Sequence, residues 1–185
     1  MVTTYERRDS ATAAASRARR RPVVLVVDDE PEVLRSVHDL LRLDYHVVAR
    51  GSGTEALEFL RSGQDVAAVL SDQRMPGMTG VEMLREAAAL RPETTRLLFT
   101  AFADLRTVVD AINQGHVFRY IAKPWEPLEL QAAIRQAVER HDLLVEKTRL
   151  LNELTTANAR LREADRLKTA FLEVASHELN TPVTV

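Results

Sequence analysis

The sequence contains no cysteine, and this absence excludes several kinds of protein chemistry at once. A chain without thiols has no disulfide framework, no thiol nucleophile and no cysteine-based metal site, and such a composition fits a reducing compartment. The sequence also lacks a strong charge of either sign, because its formal net charge is −2 at pH 7. Composition therefore gives no indication of a surface that binds nucleic acid.

Long hydrophobic runs are missing as well. The longest unbroken aliphatic run, Val23–Val27, is far too short to cross a bilayer, and the N-terminus has no apolar core of a secretory signal. We therefore predict a cytoplasmic protein that has no membrane partner. Residues 1–21 are rich in arginine and have almost nothing to bury, which predicts a disordered basic tail. A basic arm that binds nucleic acid or anionic lipid is the alternative for this tail.

The apolar residues that are present form five short strand-like segments that alternate with helical patterns. The predicted strands cover residues 23–27, 46–49, 66–72, 96–101 and 117–121. The predicted helices start at residue 31, cover 54–61, 81–90 and 104–114, and resume at residue 128. Because strands and helices alternate, we predict an α/β fold with a doubly wound, five-stranded parallel sheet over residues 22–141.

Polar residues follow four of the predicted strands, namely Asp28 with Asp29, Asp72, Thr100 and Lys123. Ligands bind beyond the carboxyl ends of the strands in sheets of this kind, so these side chains are predicted to share one edge. Each also has an ordinary interpretation when taken alone. An acid can cap a helix or a turn, Thr100 can be a strand-end hydroxyl, and Lys123 can be a solvated surface lysine.

Three carboxylates at one edge repel one another unless a cation compensates their charge. Mg²⁺ is the candidate cation, because it prefers oxygen ligands and takes one or two carboxylates while keeping water and phosphate oxygens. A carboxylate beside Mg²⁺ can attack a phosphoryl group and form an aspartyl phosphate. The Lys123 ammonium would then neutralise phosphoryl oxygens, and the Thr100 hydroxyl would donate a hydrogen bond to another.

Four motifs resemble the receiver domain of the two-component response-regulator family. They are Asp28-Asp29 after the first strand, Asp72 followed by Met75-Pro76-Gly77-Met78-Thr79-Gly80, then Thr100-Ala101, and Lys123-Pro124. The resemblance covers residues 22–141 and implies a flavodoxin-like sheet with strand order 2-1-3-4-5. It also implies that such a receiver catalyses its own phosphorylation and dephosphorylation.

The same resemblance implies roles for the acidic residues. Asp72 would be the phosphoacceptor, Asp29 a direct Mg²⁺ ligand, and Asp28 an acidic-pocket residue that reaches the metal through water. The backbone carbonyl of Arg74 would be the third protein ligand. With Lys123, these residues make up the implied phosphorylation site.

A switch pair is implied by Thr100 and Tyr120, in which the hydroxyl moves toward the phosphate and the aromatic ring turns inward. A half-buried aromatic without a switching role is the alternative for Tyr120. The resemblance further implies a cis peptide between Lys123 and Pro124. Trp125 stands where the family more often has a smaller aromatic residue.

From residue 128 the helical pattern continues without glycine or proline until Pro182. Apolar residues recur at coiled-coil spacings of seven, four and three, at Leu143, Leu150, Leu154, Ala157, Leu161, Ala164, Phe171 and Ala175. Because a helix of this length needs a partner, we predict a parallel homodimer, with residues 142–164 as a coiled-coil linker. Lys147 and Lys168 interrupt the seam, and a helix that folds back on its own receiver is the alternative.

The last segment resembles the phosphoacceptor box of a sensor histidine kinase, through Ser176-His177-Glu178-Leu179 and Thr181-Pro182. The resemblance implies that His177 is phosphorylated, that Glu178 hydrogen-bonds its imidazole, and that Thr181 places water for phosphatase action. Asn180 stands where that family usually has arginine. Residues 165–185 are therefore predicted to be a truncated kinase dimerisation helix, which lacks the ATP-binding domain that autophosphorylation requires.

Together the two resemblances suggest the receiver of a hybrid histidine kinase. From His141 to His177 is 36 residues, or roughly 54 Å of helix at about 1.5 Å per residue. A continuous helix would keep His177 away from Asp72, so we predict that an upstream histidine kinase or phosphotransfer protein phosphorylates Asp72. The change would be relayed through the dimeric coiled coil to the His177 region. The alternatives are a phosphate sink or phosphatase module in a phosphorelay, and a dimerisation scaffold that is not phosphorylated.

Overall fold

The structure is a computed structural model that describes residues 21–100 and 117–179, with the side chains of the last helix described as far as residue 173. The predicted tail lies outside this range except for Arg21, and the helix predicted for residues 104–114 lies outside it entirely. Arg21 is exposed and donates a hydrogen bond to the carbonyl oxygen of Arg42 at 2.7 Å.

Five parallel strands form one sheet. They are β1 (Val23–Val27), β2 (His46–Arg50), β3 (Ala68–Asp72), β4 (Thr95–Thr100) and β5 (Arg119–Ala122). The spatial order is β2-β1-β3-β4-β5, and every neighbouring pair is parallel. The predicted five-stranded parallel sheet of order 2-1-3-4-5 is therefore confirmed. All residues of β3 are buried, as expected for a central strand that is covered on both faces.

The helices in the described residues are α1 (Pro31–Leu41), α2 (Gly53–Arg61), α3 (Gly80–Leu90) and α4 (Pro127–Leu179). Proline suits the first turn of α1 because its missing N–H has no helical partner in any case. Helix α2 begins at Gly53, one residue before the predicted start at residue 54. Ser52 caps that helix by accepting a hydrogen bond from the amide of Glu55 at 3.3 Å. The long C-terminal helix is confirmed by α4.

Two hydrophobic clusters lie on the two faces of the sheet, because successive strand residues point to opposite sides. Helices α1 and α4 pack on one face, with Val37, Leu41, Leu130 and Ile134 buried against β1, β3 and β4. Helices α2 and α3 pack on the other, with Leu57, Leu60, Met83 and Leu84. This packing holds the strand ends, and the polar residues that follow them, in fixed positions.

Several strand boundaries differ from the prediction, since β2 ends at Arg50, β3 begins at Ala68 and β5 ends at Ala122. Strand β5 begins at Arg119, two residues later than predicted, because pairing with β4 starts only where Leu97 meets Arg119. Val117 is buried in the core but precedes that pairing. Strand β4 starts one residue early, at Thr95, whose amide donates a hydrogen bond to the carbonyl of Ala67 at 3.0 Å.

The chain divides into two compact units, with the boundary between Leu143 and Leu144. In the second unit the leucines of the predicted seam are exposed, with Leu150 at 51%, Leu154 at 64% and Leu161 at 67%. Within the described part of the chain, no helix is both long enough and apolar enough to cross a membrane.

Candidate functional site

Three charged side chains from three strand ends meet at the carboxyl edge of the sheet. Lys123, which follows β5, places Nζ 2.8 Å from Oδ2 of Asp28 and 2.6 Å from Oδ1 of Asp72. Asp28 is fully buried, and Asp72 is 7% exposed. The structure therefore brings together three of the residues that the sequence places at one edge.

Backbone contacts hold the Asp28 carboxylate in position. Its Oδ1 accepts a hydrogen bond from the amide of Glu30 at 2.9 Å, just before α1. Its own amide donates to the carbonyl of Arg50 at the end of β2, at 3.2 Å. A buried carboxylate needs such partners, because an ionised group without them is strongly disfavoured in a protein interior. Oδ2 of Asp28 faces Lys123.

Asp72 is held at the end of β3 by its neighbours. Its Oδ2 accepts a hydrogen bond from the amide of Arg74 at 2.6 Å, while its carbonyl oxygen accepts one from the Ser71 hydroxyl at 2.9 Å. Helix α3 begins directly beside Asp72. The approach is so close that a Cβ atom on Gly80 would overlap the Asp72 carbonyl oxygen and lie 2.8 Å from Cδ1 of Leu98. Only glycine allows the helix to approach Asp72 so closely.

Opposing effects act on the Lys123 ammonium. Burial lowers its pKa, but the hydrogen bonds and charges of Asp28 and Asp72 outweigh burial, and the pKa is raised above its ordinary value. Lys123 is therefore a cation at neutral pH. Its backbone amide donates to the carbonyl of Thr100 at 2.9 Å, which joins the ends of β4 and β5. The peptide between Lys123 and Pro124 is cis, as the resemblance implied.

The predicted switch residues, Thr100 and Tyr120, lie on the same face of the sheet. Tyr120 pairs with Leu98 in the β4–β5 register, and Thr100 follows Leu98 by two positions. Residues two apart in a strand point to the same side. Thr100 is 2% exposed, whereas Tyr120 is 40% exposed. The hydroxyl is thus buried at the strand end, and the aromatic side chain is partly in solvent.

The predicted Mg²⁺ ligands are all oxygen donors, which suits that ion. Asp29 is exposed next to Asp28, and Arg74 follows Asp72 by two positions. Among the residues that the structure describes, no group of three or more histidine, cysteine, aspartate or glutamate side chains could hold a metal ion. The Mg²⁺ site therefore stays a prediction, in which Asp29, Asp72 and the Arg74 carbonyl would be the protein ligands while the ion keeps water and phosphate oxygens.

The second predicted site is described only in part. The backbone of His177 and Glu178 belongs to α4, which ends at Leu179. Their side chains and the whole of Thr181 lie outside the described residues. The kinase-like site therefore stays a prediction.

Two residues beside the edge were not predicted to contribute to the site. Trp125 stacks on Phe99 of β4 with ring centroids 4.6 Å apart, and Nζ of Lys123 lies 5.6 Å from the centroid of the same Phe99 ring. Gln73 is 93% buried and contacts both β4 and α3. The only sequence signal for Gln73 was its place next to Asp72, directly after β3.

The parallel sheet of this order, with two buried acids and a lysine at its carboxyl edge, defines a receiver of the response-regulator class. The response regulator receiver domain family matches residues 24–135, which is more than half of the chain. The chain belongs to this family.

Curated relatives include the hydrogenase transcriptional regulatory protein HoxA of Cupriavidus necator, which is 36% identical over 156 residues and matches 84% of this chain. The C4-dicarboxylate transport transcriptional regulatory protein DctD of Rhizobium meliloti is 35% identical over 130 residues, or 70% of the chain. The chain spans 32% and 28% of the length of these two proteins. They share the receiver with this chain but are transcriptional regulators by name.

Solved structures share the fold. A structure titled as adenylate cyclase from Rhodopirellula baltica has a TM-score of 0.70 and 33% identity, covering 72% of this chain and 98% of that chain. A response regulator receiver domain protein from Clostridium thermocellum has a TM-score of 0.63 and 31% identity, covering 66% of this chain and 98% of that one. The similarity therefore lies in the receiver.

Proposed function

We propose that Asp72 accepts a phosphoryl group and that Lys123 stabilises the charge at this site. One observation carries the proposal: a single, partly buried ammonium group contacts both Asp28 and Asp72, at 2.8 and 2.6 Å. Two buried carboxylates and one lysine leave the site anionic, which favours a bound cation. The chain's membership in the receiver family supports the same chemistry.

In the proposed step, a carboxylate oxygen of Asp72 attacks phosphorus, and the bond from phosphorus to the leaving group breaks. The leaving group takes that electron pair, and Asp72 becomes an aspartyl phosphate. When bound to Asp29, Asp72 and the Arg74 carbonyl, Mg²⁺ would supply positive charge for the phosphoryl oxygens. Lys123 would supply a second positive charge from the other side while it remains paired with Asp28.

This proposal is tested by incubating the chain with acetyl phosphate and Mg²⁺ and measuring its intact mass. We expect one phosphoryl adduct that forms only with Mg²⁺ and is absent in Asp72→Asn. Asp39→Asn is the matched control, because the Asp39 side chain is 75% exposed on α1. If the wild-type chain gains no adduct, or if Asp72→Asn gains as much as the wild type, the assignment of Asp72 is wrong.

We also propose that phosphorylation is read by Thr100 and Tyr120. The buried Thr100 hydroxyl lies at the end of β4, whose backbone is joined to the Lys123 amide. If that hydroxyl moved to donate a hydrogen bond to a phosphoryl oxygen, it would leave space on the face where the partly exposed Tyr120 lies. The Tyr120 ring could then turn inward, so the local charge of the phosphate would favour one of two conformations.

A second copy of the chain is the proposed partner of α4. Beyond the boundary of the first unit, three leucines of α4 are each more than half exposed, namely Leu150, Leu154 and Leu161. Isolated helices gain little stability in water, and most helices are stabilised by packing an apolar stripe. The heptad spacing of these leucines suits a parallel two-stranded coiled coil.

Sedimentation equilibrium tests this homodimer. We expect the wild-type chain to dimerise and Leu154→Asp to be monomeric, since a carboxylate in the seam would have to be buried against its copy. Leu43→Asp is the control, because Leu43 is 69% exposed and lies outside α4. A wild-type monomer at all concentrations, or dimerisation lost equally in both variants, would overturn the proposal.

For the kinase-like segment, we propose that His177 is a second phosphoacceptor that responds to Asp72, as in a hybrid histidine kinase. The Ser-His-Glu-Leu sequence and its position on the proposed dimer helix support this role.

The test supplies phosphate from an upstream histidine kinase and compares His177→Ala with Asp72→Asn. We expect Asp72 to be labelled without His177. Labelling of Asp72 that depends on His177 would contradict this direction of transfer. Rapid loss of the label as inorganic phosphate would favour a phosphate sink instead.

A further inference from the structure

Gln73 links the phosphoacceptor strand to two neighbouring elements. Its amide donates to the carbonyl of Phe99 at 3.0 Å, which extends the pairing of β3 with β4 by one residue beyond Asp72. Its side-chain Oε1 accepts a hydrogen bond from the amide of Val81 at 3.2 Å. Gln73 is buried, with only 7% of its surface exposed. One residue therefore binds β4 with its backbone and α3 with its side chain.

The first turn of α3 depends on this contact. The first amides of a helix have no partner within the helix and need outside acceptors. The Gly80 amide donates to the carbonyl of Gln73 at 3.0 Å, and the Val81 amide donates to its side chain. The Glu82 amide donates to Oγ1 of Thr79, the ordinary N-cap, at 3.3 Å. Gln73 thus supplies two of the acceptors from outside the helix.

These contacts fix both ends of the loop of residues 74–79. The loop leaves Gln73 and returns to it through Gly80 and Val81. Its first residue, Arg74, points its amide at Oδ2 of Asp72 at 2.6 Å, and the Arg74 carbonyl is the backbone ligand in the proposed metal site. Movement of this loop would displace the Arg74 amide, which faces the reacting carboxylate, and with it the carbonyl proposed as a metal ligand.

We propose that Gln73 is a positioning residue for phosphoryl transfer, whose carboxamide holds the loop of residues 74–79 so that Arg74 meets both Asp72 and the metal. The inference rests on the proposed phosphoacceptor function of Asp72. Gln73 touches no reacting atom and acts through Arg74. The role requires an acceptor at Oε1 and a side chain long enough to reach Val81.

Three variants separate this role from a general effect on stability. Gln73→Met keeps the length and removes the acceptor. Gln73→Glu keeps an acceptor of the same reach, and helix N-termini tolerate a negative charge well. Gln131→Met is the matched control, because Gln131 is a partly buried glutamine of α4 outside the site, and its Nε2 donates to the Leu40 carbonyl at 3.4 Å.

Three quantities are measured. The first is hydrogen exchange of the Val81 amide in the metal-free chain, and the second is Mg²⁺ affinity, followed by the fluorescence of the single tryptophan. The third is the rate of phosphorylation by acetyl phosphate at saturating Mg²⁺. For Gln73→Met we expect about tenfold faster exchange, with Mg²⁺ affinity and rate each lower by roughly five- to tenfold, as loss of one buried hydrogen bond and a displaced ligand would cause. Gln73→Glu should restore exchange and rate, and Gln131→Met should match the wild type.

Wild-type Mg²⁺ affinity and rate in Gln73→Met would overturn the inference, even if the melting temperature fell. A Gln73→Glu variant that is no better than Gln73→Met would overturn it too. If the wild-type chain accepted no phosphate, the proposed function would fail, whereas amide exchange and Mg²⁺ affinity would still decide the role of Gln73. Absence of Mg²⁺ binding in the wild type would overturn both.

Discussion

At the residue scale, Lys123 balances the charge of the site. Asp28 and Asp72 are both buried, and carboxylates at short range in the interior repel each other. Removing one partner from such a cluster leaves an uncompensated charge. This destabilises the folded protein by more than the intact cluster stabilises it. If Asp72 becomes an acyl phosphate, as proposed, its negative charge would move onto the phosphoryl oxygens while Asp28 would continue to hold Lys123. The lysine can therefore follow the charge without leaving the site.

We predict that Asp72→Asn lowers the pKa of Lys123, because it removes one of the two carboxylates that raise it. The chain has three lysines, so labelling lysine with carbon-13 at Cε gives three titrating signals. Since the folded pKa is raised above the ordinary 10.5, the stability that Lys123 contributes is present below that pH and is lost as pH rises through the folded pKa. In Asp72→Asn the folded pKa is lower, so this loss is complete at a lower pH. An unchanged Lys123 titration would contradict the assigned contact.

At the scale of elements, the close approach of β3 and α3 places the loop of residues 74–79 beside Asp72. We predict that Gly80→Ala destabilises the chain by about 1–3 kcal/mol, because the new methyl group would overlap the backbone of Asp72. Gly51→Ala is the control, as nothing lies within 4 Å of its Cβ position and its change should stay within about 0.5 kcal/mol. Urea unfolding followed by tryptophan fluorescence measures both. Equal stability of the two variants would show that α3 does not approach the backbone of Asp72 this closely.

His141 of α4 is 4% exposed and contacts the edge of the sheet opposite to the one that carries Asp72. Its Nδ1 lies 3.0 Å from the carbonyl oxygen of Glu93, so Nδ1–H donates, and its Nε2 lies 3.4 Å from Oδ1 of Asp65. We predict that His141→Leu lowers the free energy of unfolding by about 1–3 kcal/mol, since it leaves a partly buried carbonyl without this donor. His141→Asn should recover part of the loss, because its amide can donate in place of Nδ1.

The control for this prediction is His38→Leu, because the His38 side chain is 48% exposed on α1. Its stability should change by no more than about 0.5 kcal/mol, as for most surface substitutions. A loss in His38→Leu as large as that in His141→Leu would show that removal of the imidazole, rather than its contact with Glu93, causes the effect. Chemical unfolding at neutral pH measures all three variants.

The parts that were predictable from sequence are those that leave a periodic signal. Buried strands read as apolar runs, and polar residues at their ends could be assigned to one edge because parallel strands share an orientation. Gln73 and His141 left no such signal. Gln73 follows an apolar strand and looks like any polar residue in a turn, and His141 contacts Glu93, 48 residues away, through a single hydrogen bond. Strand limits also escaped prediction, since the pairing register, and not β propensity, decides where β5 begins.

At the scale of the whole molecule, the question is how the phosphoryl site and the proposed dimer helix influence each other. Coupling between two sites is a free energy, and it acts in both directions. If phosphorylation of Asp72 strengthens dimerisation through α4, then dimerisation must stabilise the phosphorylated form by the same factor. Typical couplings of this kind are about 1–3 kcal/mol, or roughly 5- to 150-fold in affinity. This reciprocity makes the relay testable without a downstream partner.

We predict that the steady-state extent of Asp72 phosphorylation changes with protein concentration, and that the change occurs across the dimer dissociation constant. Acetyl phosphate and Mg²⁺ would be held constant, intact mass would report the phosphorylated fraction, and sedimentation would report the dimer. In Leu154→Asp the fraction should be independent of concentration, because that variant is expected to be monomeric, while Leu43→Asp should behave as the wild type. A dimer whose dissociation constant is the same with and without phosphate on Asp72 would show that α4 dimerises independently of the receiver, and the proposed relay to His177 would then fail although both sites exist.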